Sequence, residues 1–446
     1  MLKQKPSRYF VLCTFIILYI IIGYDVERHE TIPLFACYFL LFLFYLTIIQ
    51  KKDFAKAEWK FWIGASLLFR AVLLFSIPAL SDDFYRFIWD ARVLAAGHNP
   101  FSEVPSYYMS PSNILPNLDA ELFEKLNSKE RFSSYPPVCQ LIYWISNALS
   151  PNSISGAVVA MKSILFVFEI GTLGLLKKLS DSFKLSPSSI LIYALNPLVI
   201  LEITGNLHFE GVMIFFLLLA IHYLIKPKPV LSSAAFAFSV CTKLIPLLLL
   251  PLLPKFLGWN KSFKYWMMVG LMILILFLPL LNSEIIHGFS TSLGYYFQHF
   301  EFNASLYYLI REAGNLVFGF NIIQFAGPFL ALAATGVILI ISFRKFPSNI
   351  TGEIDISVFN GMLWCLSVYL LSTTILHPWY IITLLAISVF TKYRFPIIWT
   401  CLIFLTYAGY TEYGFKENLV LVSLEYILLL VYLIYETVWT SRKSHS

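Results

Sequence analysis

Charge is scarce in this sequence. Asp, Glu, Lys and Arg make up 13% of the 446 residues, whereas hydrophobic residues make up 58%. A soluble domain averages about 25% charged residues. Apolar runs of roughly 18–25 residues recur along the chain, and each is long enough to cross a hydrocarbon core of about 30 Å. These runs are too long for barrel strands, so the composition excludes a soluble globule and predicts an all-α polytopic membrane protein.

Cysteine offers little chemistry. The six cysteines show no metal-ligand spacing and lie mostly inside apolar runs, so we expect small core side chains and no disulfide framework. The sequence also lacks internal repeats and low-complexity tracts. We therefore predict one membrane domain over residues 1–446.

The net formal charge of +6 does not imply a nucleic-acid partner, because the placement of the basic residues indicates orientation instead. Most of them fall in short loops on one side of the apolar runs, and the positive-inside rule then puts both termini in the cytoplasm. The first run, residues 9–24, is followed by no small-residue cleavage site. We expect it to be a retained helix rather than a signal peptide.

The apolar runs give a detailed topology. The run 230–253 lies between two basic loops, and keeping both loops cytoplasmic requires it to turn back. Residues 243–246 are the predicted break between two short helices there. The total is roughly 12–14 crossings. The other predicted spans are 9–24, 32–50, 60–78, 157–176, 187–204, 208–225, 264–282, 318–343, 357–375, 378–391, 395–411 and 418–438.

Two predicted extracytoplasmic loops, residues 79–156 and 283–317, are too long to be simple connectors. The first loop mixes acidic, basic and aromatic residues, which argues against disorder. Within it, residues 82–96 are predicted to form a helix that stops at Gly97. Its apolar end, residues 138–149, is short enough to be an interfacial or re-entrant helix. We expect the chemistry of the protein to lie in these loops.

The start of the first-loop helix carries the most informative acids. Ser81 is the predicted N-cap, and Asp83, Arg86 and Asp90 share one helix face. Acids in a first helical turn stabilise the helix dipole, which is one interpretation of Asp82 and Asp83. In the other, a carboxylate at the end of a membrane span takes a proton from an acceptor hydroxyl.

Further polar residues interrupt apolar segments. Glu202, His208 and Glu210 lie at the outer end of a predicted helical hairpin, without the spacing of a metal site, and indicate a polar pocket wall. Lys243 lies at a predicted helix break, where a cation can meet a lipid-linked phosphate. Charged residues inside spans are functional candidates or internal ion pairs. The others of this kind are Arg70, Lys162, Glu169 and Glu425.

Two more segments carry candidates. Residues 295–308 of the second loop interleave aromatic rings with Asn, Gln and His, which suits a sugar ring and equally suits an interfacial aromatic belt. Arg311 follows this stretch. His377 and Tyr380 lie at a second helix break, and exposed backbone at membrane depth is tolerated where it lines a cavity.

Taken in order, these motifs resemble the GT-C glycosyltransferase superfamily, and most closely its bacterial polyprenyl-phosphate-mannose-dependent mannosyltransferases. No single motif is specific; the ordered set is more so. The motifs are the helix at Ser81–Arg92 with Gly97-His98-Asn99-Pro100-Phe101, then Tyr135-Pro136-Pro137, Asn196-Pro197 with Glu202, Gly205–Glu210, Lys243–Pro246, Phe302–Tyr307 and His377-Pro378-Trp379-Tyr380.

The resemblance implies transfer of a sugar, mannose by analogy, from a polyprenyl-phosphate donor to a hydroxyl of a glycan or lipid. It implies an inverting single displacement, with Asp83 as base and Asp82 as second candidate. It also implies no metal and no cofactor. Candidates for the donor phosphate are Arg86, Lys243, Arg311 and His377. Further candidates for substrate contact are Asp90, Tyr135, Glu202, His208, Glu210 and Tyr380.

The sequence departs from the family pattern at two points. Two additional spans precede the first loop, and Glu210 stands where relatives often carry Asp. A transporter or flippase of lipid-linked sugars is an alternative, but it would concentrate polar residues near the midplane. A glycan polymerase or ligase is a second alternative, and a noncatalytic assembly subunit is a third.

The partners implied are the lipid-linked donor, the acceptor and the bilayer, with no nucleic acid. The expected location is the bacterial inner membrane, with the active site facing outward.

Overall fold

A computed structural model describes residues 7–51, 54–115, 117–344 and 355–443 of the protein. Helices dominate this part of the chain. They are α1 (Arg8–Ile20), α2 (Thr31–Ile49), α3 (Lys56–Val72), α4 (Asp83–Ala95), α5 (Ala120–Glu124), α6 (Pro137–Leu149), α7 (Ile154–Ser182), α8 (Leu191–Ala194), α9 (Pro197–Val199), α10 (Glu210–Ile225), α11 (Pro229–Val240), α12 (Leu253–Leu257), α13 (Trp259–Phe277), α14 (Ile285–Gln298), α15 (Leu306–Phe318), α16 (Ile323–Phe343), α17 (Ser357–Ser372), α18 (Ile381–Ser388), α19 (Phe395–Leu402) and α20 (Leu419–Lys443).

Short irregular helical turns and one small hairpin complete the described structure. The strands β1 (Tyr410–Thr411) and β2 (Gly414–Phe415) pair antiparallel, with Tyr410 opposite Phe415. Gly414 closes the hairpin with a φ of +120°, which L side chains rarely adopt. The turns, 3₁₀ or π in geometry, are Ile21–Asp25, Pro105–Met109, Pro187–Ile190, Ile200–Gly205, Ile245–Leu252, Leu278–Leu280, Pro378–Tyr380 and Ile403–Gly409.

The protein is an all-α polytopic membrane protein, as predicted. Among the described residues, six helices are long and apolar enough to span a membrane, and a bent pair, Pro187–Ala194 with Pro197–Gly205, would make a seventh. Six further apolar helices have only 10–17 residues. The larger total of 12–14 crossings would need these short helices to cross as well, and it stays a prediction. The six long helices are Arg8–Asp25, Thr31–Ile49, Ile154–Ser182, Trp259–Leu280, Ile323–Phe343 and Leu419–Val438.

The predicted break in the run 230–253 is confirmed. Helix α11 ends at Val240, and the next helical turn starts at Ile245. Pro246 has no backbone N–H and cannot continue the hydrogen-bond ladder of α11, which accounts for the break. Lys243 is therefore held outside regular helix.

The predicted helix of the first long loop is α4. It starts at Asp83, so Asp82 is the N-cap and the expectation that Ser81 would cap the helix is wrong. The Ser81 hydroxyl instead accepts a hydrogen bond from the Asp83 N–H at 3.3 Å. At the other end Gly97 has a φ of +82°, which suits a glycine stop.

The two long loops pack against each other. Gly288 lies so close to the first loop that a Cβ there would be 2.0 Å from the Phe101 carbonyl oxygen. Asn99 donates a hydrogen bond to the Leu280 carbonyl at 2.5 Å. The second loop is also tied to the segment after α17, because the Phe302 carbonyl accepts from the Leu376 N–H at 2.8 Å. Residues from these three segments are thereby brought to one place.

Charged residues inside the helices are paired within the protein. Arg70 on α3 contacts Glu169 on α7 at 3.0 Å, and neither side chain is exposed to solvent. Tyr193 donates a further hydrogen bond to Glu169 at 2.8 Å. Lys162 donates to the Leu73 carbonyl at 3.0 Å, just beyond the end of α3. These residues hold α3 and α7 together, so the internal-pairing interpretation applies to them.

Candidate active site

Asp83, the first residue of α4, lies half-buried at the centre of the candidate site. Its carboxylate accepts a hydrogen bond of 2.9 Å from the Asn127 amide. Burial raises the pKa of Asp83 above its ordinary value, while Asn127, Lys243 and Tyr135 act against that rise. Asp83 is thus a carboxylate with raised basicity, and a cation lies close enough to influence it.

Asp82, its neighbour, is differently placed. It forms an ion pair with Arg28, which lies in the short connection between α1 and α2. The Arg28 guanidinium also lies over the Tyr410 ring, 4.7 Å from its centroid. The helical hairpin α1–α2 therefore contributes a cation to this site.

Lys243 is a cation whose charge acts to lower the pKa of Asp83. It forms an ion pair with Glu210, the first residue of α10. Its ammonium also lies 5.3 Å from the centroid of the Tyr380 ring. The Lys243 side chain is 18% exposed and that of Glu210 is 0% exposed, so Lys243 keeps some access to the outside of the protein. A cation held at a helix break by one buried carboxylate can bind a phosphate oxygen.

A stack of rings connects the remaining candidates. Trp379 lies between His208, at a centroid distance of 3.5 Å, and His377, at 4.4 Å. The His208 Nε2 is 3.3 Å from the Glu202 carboxylate, and Glu202 accepts a hydrogen bond of 2.6 Å from Tyr407. Residues from distant parts of the chain thus form one continuous wall.

Arg86 and Asp90 belong to a buried network inside the first loop. They contact each other at 2.7 Å and are 4% and 1% exposed. Arg86 also donates to the Arg131 carbonyl at 2.8 Å. Asp90 accepts from Ser133 at 2.5 Å and from Gln140 at 3.0 Å. This network holds the loop in shape.

Arg311 lies in a separate cluster on the second loop. It contacts Glu301 and Glu312, each at 2.8 Å, and lies over the Tyr308 ring. Two carboxylates already occupy its guanidinium, so of the four phosphate candidates Lys243 has the most suitable surroundings.

Residues 18–259, more than half of the chain, match the MptA/B family, described as Alpha-(1->6)-mannopyranosyltransferase, N-terminal domain. The protein belongs to this mannosyltransferase family. The predicted membership of the GT-C mannosyltransferases is thereby confirmed. No curated protein matches the chain.

Only part of the candidate site of this mannosyltransferase lies within the residues that match the family. Asp83, Glu210 and Lys243 lie within the matched residues, whereas His377 and Tyr380 lie beyond them. The candidate site therefore combines side chains of the family's N-terminal domain with side chains of the C-terminal part of the chain.

The charged residues of the site do not form an obvious metal centre. Glu202, His208 and Glu210 are close in sequence, but the part of the chain that the structure describes holds no group of three His, Cys, Asp or Glu side chains arranged to bind a metal. The absence of a metal remains an expectation.

Several residues of the site were missed in the sequence. Neither Arg28 nor Asn127 belongs to a motif in the sequence. Tyr407 and Tyr410 lie in an apolar run near the C-terminus, where tyrosine is not distinctive. Each of them reaches the site through tertiary packing, over separations of 44 residues for Asn127 and Asp83 and 205 residues for Tyr407 and Glu202. The sequence does single out Arg28 in one respect. It is one of the few basic residues on the predicted extracytoplasmic side.

Proposed function

We propose that this mannosyltransferase transfers mannose from a polyprenyl-phosphate donor to a hydroxyl of a glycan or lipid acceptor. Residues 1–446 then act as one transmembrane glycosyltransferase domain, with residues 79–156 as the catalytic loop and 283–317 as the second loop. The site faces the extracytoplasmic side of a bacterial inner membrane, and both termini lie in the cytoplasm. The outward placement is supported by the distribution of basic residues.

The observation that carries the proposal is the different pairing of the two adjacent acids. Asp82 is neutralised by Arg28, whereas Asp83 accepts a hydrogen bond from a neutral amide and has its pKa raised by burial. A general base must be deprotonated, and its pKa must be high enough for it to accept a proton from the acceptor hydroxyl. Asp83 fits both requirements better than Asp82.

The proposed reaction is a single displacement. Asp83 removes the proton of the acceptor hydroxyl as its oxygen attacks the anomeric carbon of the donor. The bond from that carbon to the phosphate oxygen breaks, and its electron pair leaves with the polyprenyl phosphate. Lys243 stabilises the negative charge that develops there. Since a single displacement inverts the anomeric centre, an α-linked product of the kind in the family description requires a β-linked donor.

A transfer assay tests this proposal. Purified protein in lipid is given radiolabelled β-linked mannosyl polyprenyl phosphate, with a membrane extract as acceptor. We expect Asp83→Asn to lower transfer by about 10²–10⁴-fold, the usual contribution of a general base. Asp82→Asn should lower the rate of transfer far less. Asp119→Asn is a loop control, because Asp119 is exposed and its side chain contacts only Arg92 and the Leu122 N–H at the start of α5 among the described residues.

Two results would contradict the proposal. Turnover of Asp83→Asn equal to that of the wild type would remove Asp83 from the mechanism. A wild-type protein that transfers no sugar from any polyprenyl-linked donor, yet moves such lipids across vesicles, would be a transporter.

A further inference from the structure

The connection between α1 and α2 is held against the end of α3. Gly23 packs so closely there that a Cβ on it would lie 2.5 Å from the Leu73 side chain. The Tyr24 hydroxyl donates a hydrogen bond of 2.6 Å to the Val72 carbonyl. Both contacts come shortly before Arg28 in the chain, so they fix the backbone from which the Arg28 side chain extends.

The Arg28 guanidinium is engaged on two sides. It forms an ion pair with Asp82, and it lies 4.7 Å from the centroid of the Tyr410 ring. A planar guanidinium can pair with a carboxylate through its edge and stack on a ring through its face at the same time. Since Tyr410 is the first residue of β1, Arg28 joins the start of α4 to the C-terminal part of the chain.

Asp82 and Asp83 are adjacent carboxylates, and the negative charge of Asp82 acts to raise the pKa of Asp83. Like charges at such short range disfavour the ionisation of both groups. Two carboxylates that interact strongly titrate as a coupled pair, in which the proton belongs to neither residue alone. A cation that pairs with one of them gives the two acids different roles.

Other titratable groups surround the two acids. Lys243 acts on Asp83 and is itself paired with Glu210. The remaining groups are tyrosines, which have an ordinary pKa of about 10 and are therefore neutral at the pH where an Asp titrates. They are Tyr85, Tyr135, Tyr296, Tyr380 and Tyr410.

The other charged side chains of the α1–α2 connection contact one another. The His29 Nδ1 lies 3.3 Å from the Glu27 carboxylate. Glu30 accepts a hydrogen bond of 2.8 Å from the Glu27 N–H. Arg28 is the residue of this connection whose side chain contacts Asp82.

We propose that Arg28 is a positioning residue that selects the base: by pairing with Asp82 it keeps that carboxylate ionised and occupied, so that Asp83 takes the proton of the acceptor hydroxyl. The assignment rests on the proposed function, because Arg28 acts only through the base. It adds no step to the displacement. The proton passes from the acceptor hydroxyl to the Asp83 carboxylate, and the protonation of Arg28 and Asp82 does not change.

Removal of the Arg28 charge should change the proton affinity of Asp83 in a defined direction. The charge of Asp82 is then no longer neutralised, and it favours the protonated form of Asp83. The pKa of Asp83 rises, so the acid limb of kcat/KM moves to higher pH. Well below that limb, each unit of the rise lowers kcat/KM about tenfold.

A charge cycle measured in the transfer assay tests the proposal. We expect Arg28→Met to move the acid limb up by at least about half a pH unit. The double variant Arg28→Met with Asp82→Asn removes both charges and should return the limb to that of the wild type. Arg28→Lys keeps the charge and should also keep the limb. The side chains of Arg28 and Asp82 are 31% and 36% exposed, so loss of this pair should leave the protein folded.

Lys416→Met is the control for a general effect of charge. Lys416 is exposed just after β2, and its side chain forms no ion pair within the part of the chain that the structure describes. The variant removes one positive charge, as Arg28→Met does, and should leave the acid limb in place.

Three outcomes would overturn the assignment. The first is an acid limb that does not move in Arg28→Met. The second is a shifted limb that persists in the double variant, because the contact would then matter for shape and not for charge. The third is an equal shift in Lys416→Met.

Infrared difference spectroscopy follows the same titration without substrate. The carboxylic-acid band that the wild type shows and Asp83→Asn lacks belongs to Asp83, and its loss with rising pH gives the pKa of this group. We expect the midpoint to rise by at least about half a pH unit in Arg28→Met and to return in the double variant. A midpoint that stays in place in Arg28→Met would contradict the proposal.

The two proposals can fail separately. An infrared midpoint that follows the charge cycle, in a protein that transfers no mannose from a polyprenyl-phosphate donor, would reject the proposed donor and keep the coupling of Arg28 to Asp83. Active transfer that depends on Asp83, with a midpoint and an acid limb that ignore Arg28, would do the reverse.

Discussion

The side-chain amide of Asn127 donates a hydrogen bond of 2.9 Å to the carboxylate of Asp83, across 44 residues of the first loop. This contact favours the ionised form of Asp83 and so works against the effect of burial on its pKa. The contact joins the proposed base to the segment that follows α5. The contact therefore affects both the protonation and the direction of the carboxylate.

The pH dependence of transfer should report this contact. A base acts only when it is deprotonated, so activity falls as the pH drops through the pKa of Asp83. Burial raises that pKa, which places the acid limb of kcat/KM above the value of about 3.9 for a free Asp. Asn127→Ala removes a hydrogen bond to the charged form and should move the limb to still higher pH, by about half a unit to one unit.

The control for this shift is Asn113→Ala. Asn113 is in the same loop and makes only a long contact of 3.4 Å to the Tyr107 carbonyl among its side-chain hydrogen bonds in the described structure. The acid limb of kcat/KM in Asn113→Ala should coincide with that of the wild type. An acid limb that does not move in Asn127→Ala would show that Asp83 is not the group whose ionisation limits the rate.

Lys243→Met should weaken binding of the donor more than binding of the acceptor. The variant removes the cation that we assign to the phosphate, so the KM for the donor should rise at least tenfold. Lys243→Arg keeps the charge and should restore part of the affinity. The measurement is the pair of KM values in the transfer assay.

A structural loss has to be separated from a loss of binding here, because Lys243→Met leaves the carboxylate of Glu210 buried and unpaired. The double variant Lys243→Met with Glu210→Gln removes both charges and should recover stability while donor binding stays weak. Full recovery of donor affinity in the double variant would make Lys243 a structural residue.

The sequence predicts those parts of the site that lie at breaks in apolar segments. Asp83 at the start of α4, Lys243 between two short helices, and His377 before a helical turn are polar residues in places that a membrane helix does not explain. Arg28 and Asn127 could not be found in this way, because their roles depend on contacts between distant segments.

Helical periodicity predicts which residues share a face of one helix, but it does not predict which other segments pack against that face. The shared face of Arg86 and Asp90 was predicted, and they contact each other at 2.7 Å. Whether that face turned to a substrate or to the interior of the loop depended on residues 128–140, which pack against it. The number of crossings depends on a related feature of the chain. Prolines at 246, 251 and 254 divide an apolar run into pieces too short to classify by length.

The buried pair of Arg70 and Glu169 should matter for stability and not for chemistry. Arg70→Met leaves Glu169 without its cation in a fully buried position, and breaking such a pair costs about 3–5 kcal/mol. We expect a lower thermal unfolding midpoint in detergent and a kcat close to wild type in the protein that remains folded. Adding Glu169→Gln should recover part of the midpoint. A large fall in kcat with an unchanged midpoint would contradict this assignment.

Orientation in the membrane can be decided by thiol labelling in intact spheroplasts. Ser112 is exposed in the first loop, and Lys228 is exposed in the short connection between α10 and α11. The distribution of basic residues puts the first position outside and the second in the cytoplasm. In a Cys13→Ser background, Ser112→Cys should react with an impermeant maleimide added from outside, whereas Lys228→Cys should react only after the membrane is permeabilised. The reverse pattern would place Asp83 on the cytoplasmic side. A donor in the outer leaflet could then not reach the site, and a lipid-linked sugar would have to be supplied from the inner leaflet instead.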